Sequence, residues 1–344
     1  MLHNVPIESL EERYSAQWNV GFPHEFARLG VRFRTLYPGT AGIAEQPISN
    51  GQFLDVVRTN GFKALQLQML VDLVIRKELK ENDVVFLHDL WFPGLEMLFY
   101  IRDGLGLKFK IAGLLHAGTY DPWDFLTQKG MGRWARYLEN AWFGEVDAIF
   151  VATEYHKRLL LEHRLTFPEQ IHVTGFPLFQ EPVDLNNSVK ENIVVFPHRL
   201  APEKNPQGFQ QLEAMCREEL PDWKFLATKH HCHSKQDYYA LLERSKIAVS
   251  CAFQETFGIA QQEALFLGCI PVVPNRLSYS ELYDLEFRYD NLDEAATVIV
   301  NIANNWNHWR QAIFLHSTVR RCHRRSEKAI ANMVNVMRNR GWAV

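Results

Sequence analysis

Short apolar runs alternate along the chain with stretches whose apolar residues recur three and four apart. Asp83-Val-Val-Phe-Leu87, Phe109–Leu115, Ala148–Ala152 and Ile171–Thr174 read as buried strands. The pattern restarts with Ile193–Phe196, Lys224–Ala227, Ile247–Ser250 and Ile270–Val273. Between them, helical spacing is expected over Gly51–Lys80 (stripe Leu65, Met69, Leu70, Leu73, Val74), Leu95–Gly104, Tyr155–His163, Gln207–Glu219 and Asp237–Ser245. The opening is less regular. Trp18, Phe22, Phe26 and Leu29 make a helical stripe, and Val31–Leu36 alternates like a strand. Only Met1–Val5 is left for a first strand, so that strand is very short or its start lies upstream. Asn291–Trp306 reads as helix, and Trp309–Arg340 as one further helix with a basic face: Arg310, Arg320, Arg321, Arg324, Arg325 and Lys328.

Strands alternating with helices imply parallel, doubly wound sheets. Gly175–Asn192, with its prolines and polar Asn-Asn-Ser run, reads as a linker between two such halves. The expected fold class is therefore α/β, with two Rossmann-like doubly wound parallel-sheet domains facing a cleft. Residues 1–178 form the first domain, 179–308 the second, and 309–344 a helix packing back towards the first.

At 344 residues the chain suits two cores rather than one. A net charge of −3 excludes a chain built as a whole to hold a polyanion, so nucleic acid would need a local patch. Five widely spaced cysteines suit a reducing compartment. No apolar run reaches the length of a membrane span, and the start lacks a signal-peptide pattern; the expectation is a cytoplasmic protein without a transmembrane segment, its oligomeric state left open.

Candidate chemistry clusters where strands end, because doubly wound sheets bind ligands beyond the carboxyl ends of their strands. His88, Asp89, His116 and Tyr120 sit at such ends in the first half. In the second half, the strand Ile247–Ser250 leads to Glu255-Thr256-Phe257-Gly258 and a helix carrying Glu263, with Gly268 as its stop. Unpaired N–H groups and the helix dipole suit such an end to phosphate. Glu255 suits sugar hydroxyls better, and a plain surface carboxylate is the competing reading. Arg199 and Lys204, in one loop after Ile193–Phe196, could hold a diphosphate or be solvated loop charges. His230-His-Cys-His233 lacks zinc-site spacing, so no metal is expected there. Trp123 to Phe143 interleaves Trp123, Phe125, Trp134, Tyr137, Trp142 and Phe143 with Arg133 and Arg136. Such a stretch either buries an aromatic helix face or stacks bases.

The patterns R-L-x-x-E-K-N and E-x-F-G-x-x-x-x-E-A-L-x-x-G-x-x-P-V-V, in this order across Ile193–Ser280, resemble the donor-binding half of the retaining GT-B glycosyltransferases of family GT4. The segments around FPHRL and CAFQETFGIAQQEALFLGCIPVVPNRLSYSELY are similar to a subgroup acting on queuosine in transfer RNA, and the chain also resembles phage-type transferases of DNA bases. The resemblance implies a nucleoside-diphosphate sugar as co-substrate and no further cofactor or metal. It implies Arg199 and Lys204 on the diphosphate, Glu255 on the donor sugar, Glu263 on the ribose, and the backbone of Thr256, Phe257, Gly258 and Ile259 at phosphate and sugar. His116 and Glu255 would be the catalytic pair. His88, Asp89, Tyr120, Asp121, Trp123 and Arg133 are acceptor-side candidates. The acceptor expected is a hydroxylated base in DNA or RNA. A lipid-linked or soluble glycan, an epimerase of the same shape and a non-catalytic binding module are the alternatives. One departure stands out: Pro6–Tyr14 contains no glycine where the family has a glycine-rich loop.

Overall fold

The computed structural model describes residues 1–9, 14–39, 55–184 and 189–344. The chain divides into two compact units, Met1–Pro177 with Lys328–Val344, and Leu178–Glu327.

The first unit runs β1 (Leu2–Val5), α1 (Tyr14–Arg28), β2 (Phe33–Thr35), α2 (Val56–Ile75), β3 (Val84–Leu87), α3 (Leu95–Gly104), β4 (Lys110–Leu114), α4 (Phe125–Gln128), α5 (Gly132–Glu145), β5 (Ala148–Val151), α6 (Glu154–His163) and β6 (Ile171–Val173). Its six strands are parallel, in the order β2-β1-β3-β4-β5-β6. The short first strand is internal, paired on one side with the edge strand β2 and on the other with β3. Its polar residues are tolerated there because they have partners. His3 Nε2 lies 3.4 Å from Asp83, and Asn4 Oδ1 is 2.7 Å from His88 Nε2. The core joins Val85, Leu87, Ile111, Ile149 and Val151 of the sheet to Leu70, Leu73, Leu98, Trp142 and Phe143 of the helices.

The stripe expected on α2 is rotated. Phe62, Lys63, Gln66, Leu70 and Leu73 are buried, and Leu65 is 37% exposed. Polar side chains took core positions because Lys63 meets Asp89 and Gln66 donates to the Pro6 and Leu36 carbonyls. The part of the expected helix over 51–54 lies outside the described residues.

The second unit runs β7 (Glu191–Phe196), α7 (Pro206–Cys216), β8 (Lys224–Ala227), α8 (Thr228–His231), α9 (Lys235–Arg244), β9 (Ser245–Val249), α10 (Ile259–Phe266), β10 (Ile270–Pro274), α11 (Tyr279–Leu282), β11 (Arg288–Tyr289), α12 (Leu292–Asn304), α13 (Trp306–Gln311) and α14 (Ile313–Glu327). Its parallel strands lie in the order β11-β10-β9-β7-β8. Ile193, Val195, Ala248, Ala264 and Leu267 are central to one of its core clusters.

The single helix expected over Trp309–Arg340 is three. Ala312 breaks it with extended backbone, and α15 (Ala329–Asn339) belongs to the first unit. The split follows from two different packing partners. Cys322 and Ser326 of α14 contact the Leu282 and Leu178 backbone, whereas Arg338 of α15 donates to the Leu29 carbonyl at 2.9 Å. Among the described residues, no helix is long and apolar enough to cross a membrane.

Each sheet has one place where the chain reverses its direction of winding. In the first unit the chain steps from β1 to β2 and then crosses to β3 on the other side of β1. In the second it steps from β7 to β8 and then crosses to β9. Loops leaving the carboxyl ends of such strand pairs diverge and leave a crevice between them.

Candidate functional site

In the second unit the crevice is bounded by the loop after β7 and the loop after β9. The first carries His198, Arg199 and a 3-10 turn over Pro202–Lys204; the second carries Gln254 to Gly258 and runs into α10. Phe253 N donates to Glu203 O at 2.8 Å, so the two loops are joined by backbone.

Lys204 and Glu255 meet across this joint. Lys204 Nζ donates to Glu255 Oε2 at 3.1 Å, to Gln254 O at 2.6 Å and to Gln254 Oε1 at 3.3 Å. Three protons thus meet three oxygens, and both side chains are largely buried. Burial pushes the Glu255 carboxyl up, but the Lys204 ammonium and hydrogen bonds from Lys204 and the Gly258 N–H outweigh it and hold its pKa at about 2. Glu255 is therefore an anion at any physiological pH. Arg199, about a third exposed, is anchored to Glu203 four residues on.

Gly258 caps α10 in the left-handed region, at φ 76° and ψ 49°. A Cβ there would lie 3.1 Å from Tyr279 Cε1 and 3.6 Å from Glu255 Cγ. Glycine is thus required both by backbone angle and by space. Thr256 and Phe257 are buried, and Gln262 fixes the turn by donating to Phe257 O at 2.9 Å. Ile259 opens the helix and is partly exposed. The dipole of α10 and its first N–H groups converge on this turn.

Glu263 is placed differently from Glu255. It is 2% exposed and accepts from Lys235 Nζ at 2.8 and 3.1 Å and from Tyr239 Oη at 2.9 Å. Those donors come from α9, so Glu263 joins helix to helix as well as lying about a turn and a half behind Gly258.

Several groups at this site were not singled out from sequence. His198 is buried, its Nε2 has no hydrogen-bond partner, and burial with the nearby Lys204 charge lowers its pKa to about 3. Gln254 supplies two of the three oxygens on Lys204. Tyr279 closes the back of the turn, its hydroxyl 2.7 Å from Ser250 Oγ. The only sequence cue was position: His198 precedes Arg199, and Lys235 and Tyr239 stand four apart on one helix face.

In the first unit the crevice between the β1 and β3 loops holds Glu8, Arg58, Thr59, Lys63 and Asp89. Glu8 accepts from Arg58 and, at 3.0 Å, from Thr59; Lys63 donates to Asp89 at 2.8 Å. His88 is fully buried, and burial lowers its pKa to about 3. His116 Nε2 donates to the His88 carbonyl at 2.7 Å, which fixes the tautomer and leaves Nδ1 to accept from Tyr14 Oη at 3.2 Å. Burial also lowers the His116 pKa, so the ring is neutral. The structure thus brings His88, Asp89 and His116 to neighbouring strand ends.

The other acceptor-side candidates separate. Tyr120 is buried against His156, 2.6 Å away, and burial raises its pKa well above the usual value. Asp121 is buried and accepts from Trp123 N at 2.9 Å. Trp123 and Arg133 are exposed. Among the described residues, no group of three or more His, Cys, Asp or Glu is placed to hold a metal ion; His230, His231 and His233 are exposed.

Two parallel-sheet α/β units, together with the solved structures they match, define the class: the chain has the GT-B fold. Sucrose-phosphate synthase from Thermosynechococcus elongatus matches it with a TM-score of 0.68 at 12% identity, over 99% of this chain and 97% of that one. An alpha,alpha-trehalose-phosphate synthase (UDP-forming) from Burkholderia vietnamiensis matches with a TM-score of 0.65 at 13% identity, over 98% and 99%. In sequence, the tRNA-queuosine alpha-mannosyltransferase of Drosophila melanogaster is 27% identical over 164 residues. That match spans 40% of this chain and 43% of the fly protein, less than half of either. No protein-family model matches the chain.

Proposed function

We propose that the protein is a retaining, metal-independent glycosyltransferase of the GT4 kind, using a nucleoside-diphosphate sugar. One observation carries this reading: a buried Lys204–Glu255 pair set against the glycine-capped N-terminus of α10, at the winding reversal of the second sheet. A cation and a helix end suit the diphosphate, and an ionised carboxylate beside them suits sugar hydroxyls. The fly relative is named for mannosyl transfer, which supports the same reaction class.

In the reaction, the bond from the anomeric carbon to the diphosphate oxygen breaks. Negative charge grows on the leaving oxygen, where Lys204, Arg199 and the N–H groups opening α10 stabilise it. Lys204 exchanges part of its present hydrogen bonding with Gln254 for phosphate oxygens. The acceptor hydroxyl bonds to the anomeric carbon on the face the diphosphate leaves, and its proton passes to the departing phosphate oxygen. Glu255 orients the sugar, and His198, with its unpartnered Nε2, supplies one further polar contact at the pocket floor. Glu263, held by Lys235 and Tyr239, lies towards the ribose. His116, neutral and held through Nε2, serves orientation rather than proton transfer.

The acceptor is proposed to be a hydroxyl on a modified nucleobase, and the relative's name favours RNA over DNA. The test is incubation with a panel of nucleotide sugars and either modified tRNA, hydroxymethylated DNA or no acceptor, followed by mass spectrometry of the nucleosides. A hexose mass added to one nucleoside is expected. Interconversion of sugars without acceptor would instead reveal an epimerase.

A further inference from the structure

The helix α5 hides only half of its aromatic residues. Its inner face buries Ala135, Glu139, Trp142 and Phe143. Its outer face exposes Arg133, Trp134, Arg136 and Tyr137, with Trp134 at 44% and Tyr137 at 63%. Residues three and four apart are neighbours on a helix surface, so these four side chains form one patch. Exposed Trp123 precedes the helix. Among the described residues, neither Arg133 nor Arg136 is paired with a carboxylate; the Arg136 guanidinium lies 4.8 Å from the centre of the Tyr137 ring and donates to its hydroxyl.

We propose that this outer face of α5 docks an unpaired loop of RNA. The inference rests on the reading that the acceptor is a nucleobase, and it names the surface that would hold the surrounding strand. Aromatic rings alone would suit many apolar or sugar partners. Arginines with no carboxylate partner among the described residues, interleaved with them, add phosphate contacts, and the combination suits bases that are free to stack. A fully paired duplex offers the phosphates without the free base faces.

The patch is continuous with a strand end. Trp134 packs edge-to-face on Trp91, ring centres 6.5 Å apart, and Trp91 N donates to Asp89 Oδ1 at 3.1 Å. Beneath them, buried Glu139 accepts from Trp91 Nε1, Thr119 N, Thr119 Oγ1 and Arg164. The platform therefore stands on a fixed base, so little ordering is needed when a strand binds. The basic helix α14 is unlike it. Two of its arginines, Arg321 and Arg325, are spent on Asp284 and Glu281. Among its described side chains, no large apolar group is exposed.

Fluorescence anisotropy with the full chain tests this, using a labelled RNA hairpin with an unpaired loop, the fully paired RNA, and a DNA strand of the loop sequence. The hairpin should bind more tightly than either of the others. Trp134→Ala with Tyr137→Ala should weaken hairpin binding about tenfold or more without changing its salt slope. Arg136→Gln should lower the salt slope by about 0.7, and Arg136→Glu should weaken binding further. All these positions are on the surface, and a thermal melt checks that each variant folds. Equal affinity for hairpin and duplex, or wild-type affinity in the aromatic variant, would overturn the proposal. Tighter binding of the DNA strand would overturn the assignment to RNA. Sugar transfer by the wild-type protein to the modified tRNA and DNA acceptors is read separately. Hairpin binding without transfer to any of them would keep the docking surface and remove the transferase reading; sugar transfer with no preference for the hairpin would do the reverse.

Discussion

The two units reverse their winding in the same way, yet they place different chemistry at the reversal. In the second unit the crevice has a glycine-capped helix end, a lysine and an ionised glutamate with a pKa of about 2. In the first, the loop after β1 reads Pro6-Ile7-Glu8, without glycine, and Glu8 and Asp89 face Arg58 and Lys63 in a closed set of ion pairs. Around them stand two neutral histidines, buried His88 and partly buried His116. A helix end beside a lysine favours phosphate. Two carboxylates disfavour it, and hydrogen-bonding oxygens suit an uncharged, hydroxyl-bearing partner better. Common topology thus supplies the location in each unit, and the loops decide which chemistry is placed there.

Removing Lys204 is the sharpest way to break the comparison. Lys204→Ala takes a cation from the developing charge and leaves Glu255 buried without its partner. Turnover on nucleotide sugar should fall about a hundredfold or more. Stability should fall by about 3 kcal/mol in urea unfolding, because an unpaired buried charge remains. Glu255→Gln keeps the shape, so it should impair turnover with a smaller loss of stability.

Gly258→Ala comes next. Its left-handed φ and the 3.1 Å approach to Tyr279 oppose any side chain. A loss of about 1–2 kcal/mol is expected in thermal or urea unfolding, together with weaker binding of nucleoside diphosphate. In the first unit, Glu8→Ala leaves Arg58 without its carboxylate and should destabilise that unit, yet calorimetry should show nucleoside-diphosphate affinity unchanged.

Acid titration sharpens the contrast with the smallest effect per group. His88, His116 and His156 have folded pKa values below the usual histidine value, so the unfolded chain binds more protons as pH falls through about 6.5. First-unit stability should therefore decline from about pH 6.5 downwards. Glu255 has a depressed folded pKa, and its contribution is present above the unfolded carboxylate value and lost only as pH falls towards about 2. The stability difference between wild type and Glu255→Gln should hold down to about pH 4.5 and be lost progressively as pH falls from there to about 2. Unfolding followed by separate probes in the two units reads both trends.

Much of this was legible along the chain, for physical reasons. Parallel strands buried on both faces leave apolar runs, so β3, β4, β7, β9 and β10 stood out. Glycines at helix ends announce themselves, as Gly258 and Gly268 do. What escaped notice was burial of polar residues that have partners. β1 was nearly invisible because His3 and Asn4 break its apolar run, and their partners, Asp83 and His88, are some 80 positions away. The face of α2 was misread for the same reason at Lys63 and Gln66. Loop position singled out Glu255 and Lys204 as candidates, and the structure brings them into contact, but the placement of His198 and Gln254 beside them rests on contacts that no spacing reveals. The tail looked like one helix because its periodicity continues across Ala312 and Lys328, where the chain changes its packing partner.

Calorimetric titration of nucleoside diphosphates into wild-type protein and the Lys204→Ala and Glu8→Ala variants tests the central claim most directly. The account predicts that one diphosphate binds the wild type and Glu8→Ala alike and binds Lys204→Ala at least about tenfold more weakly. Undiminished binding to Lys204→Ala, or loss of binding in Glu8→Ala with the second unit still folded, would contradict it.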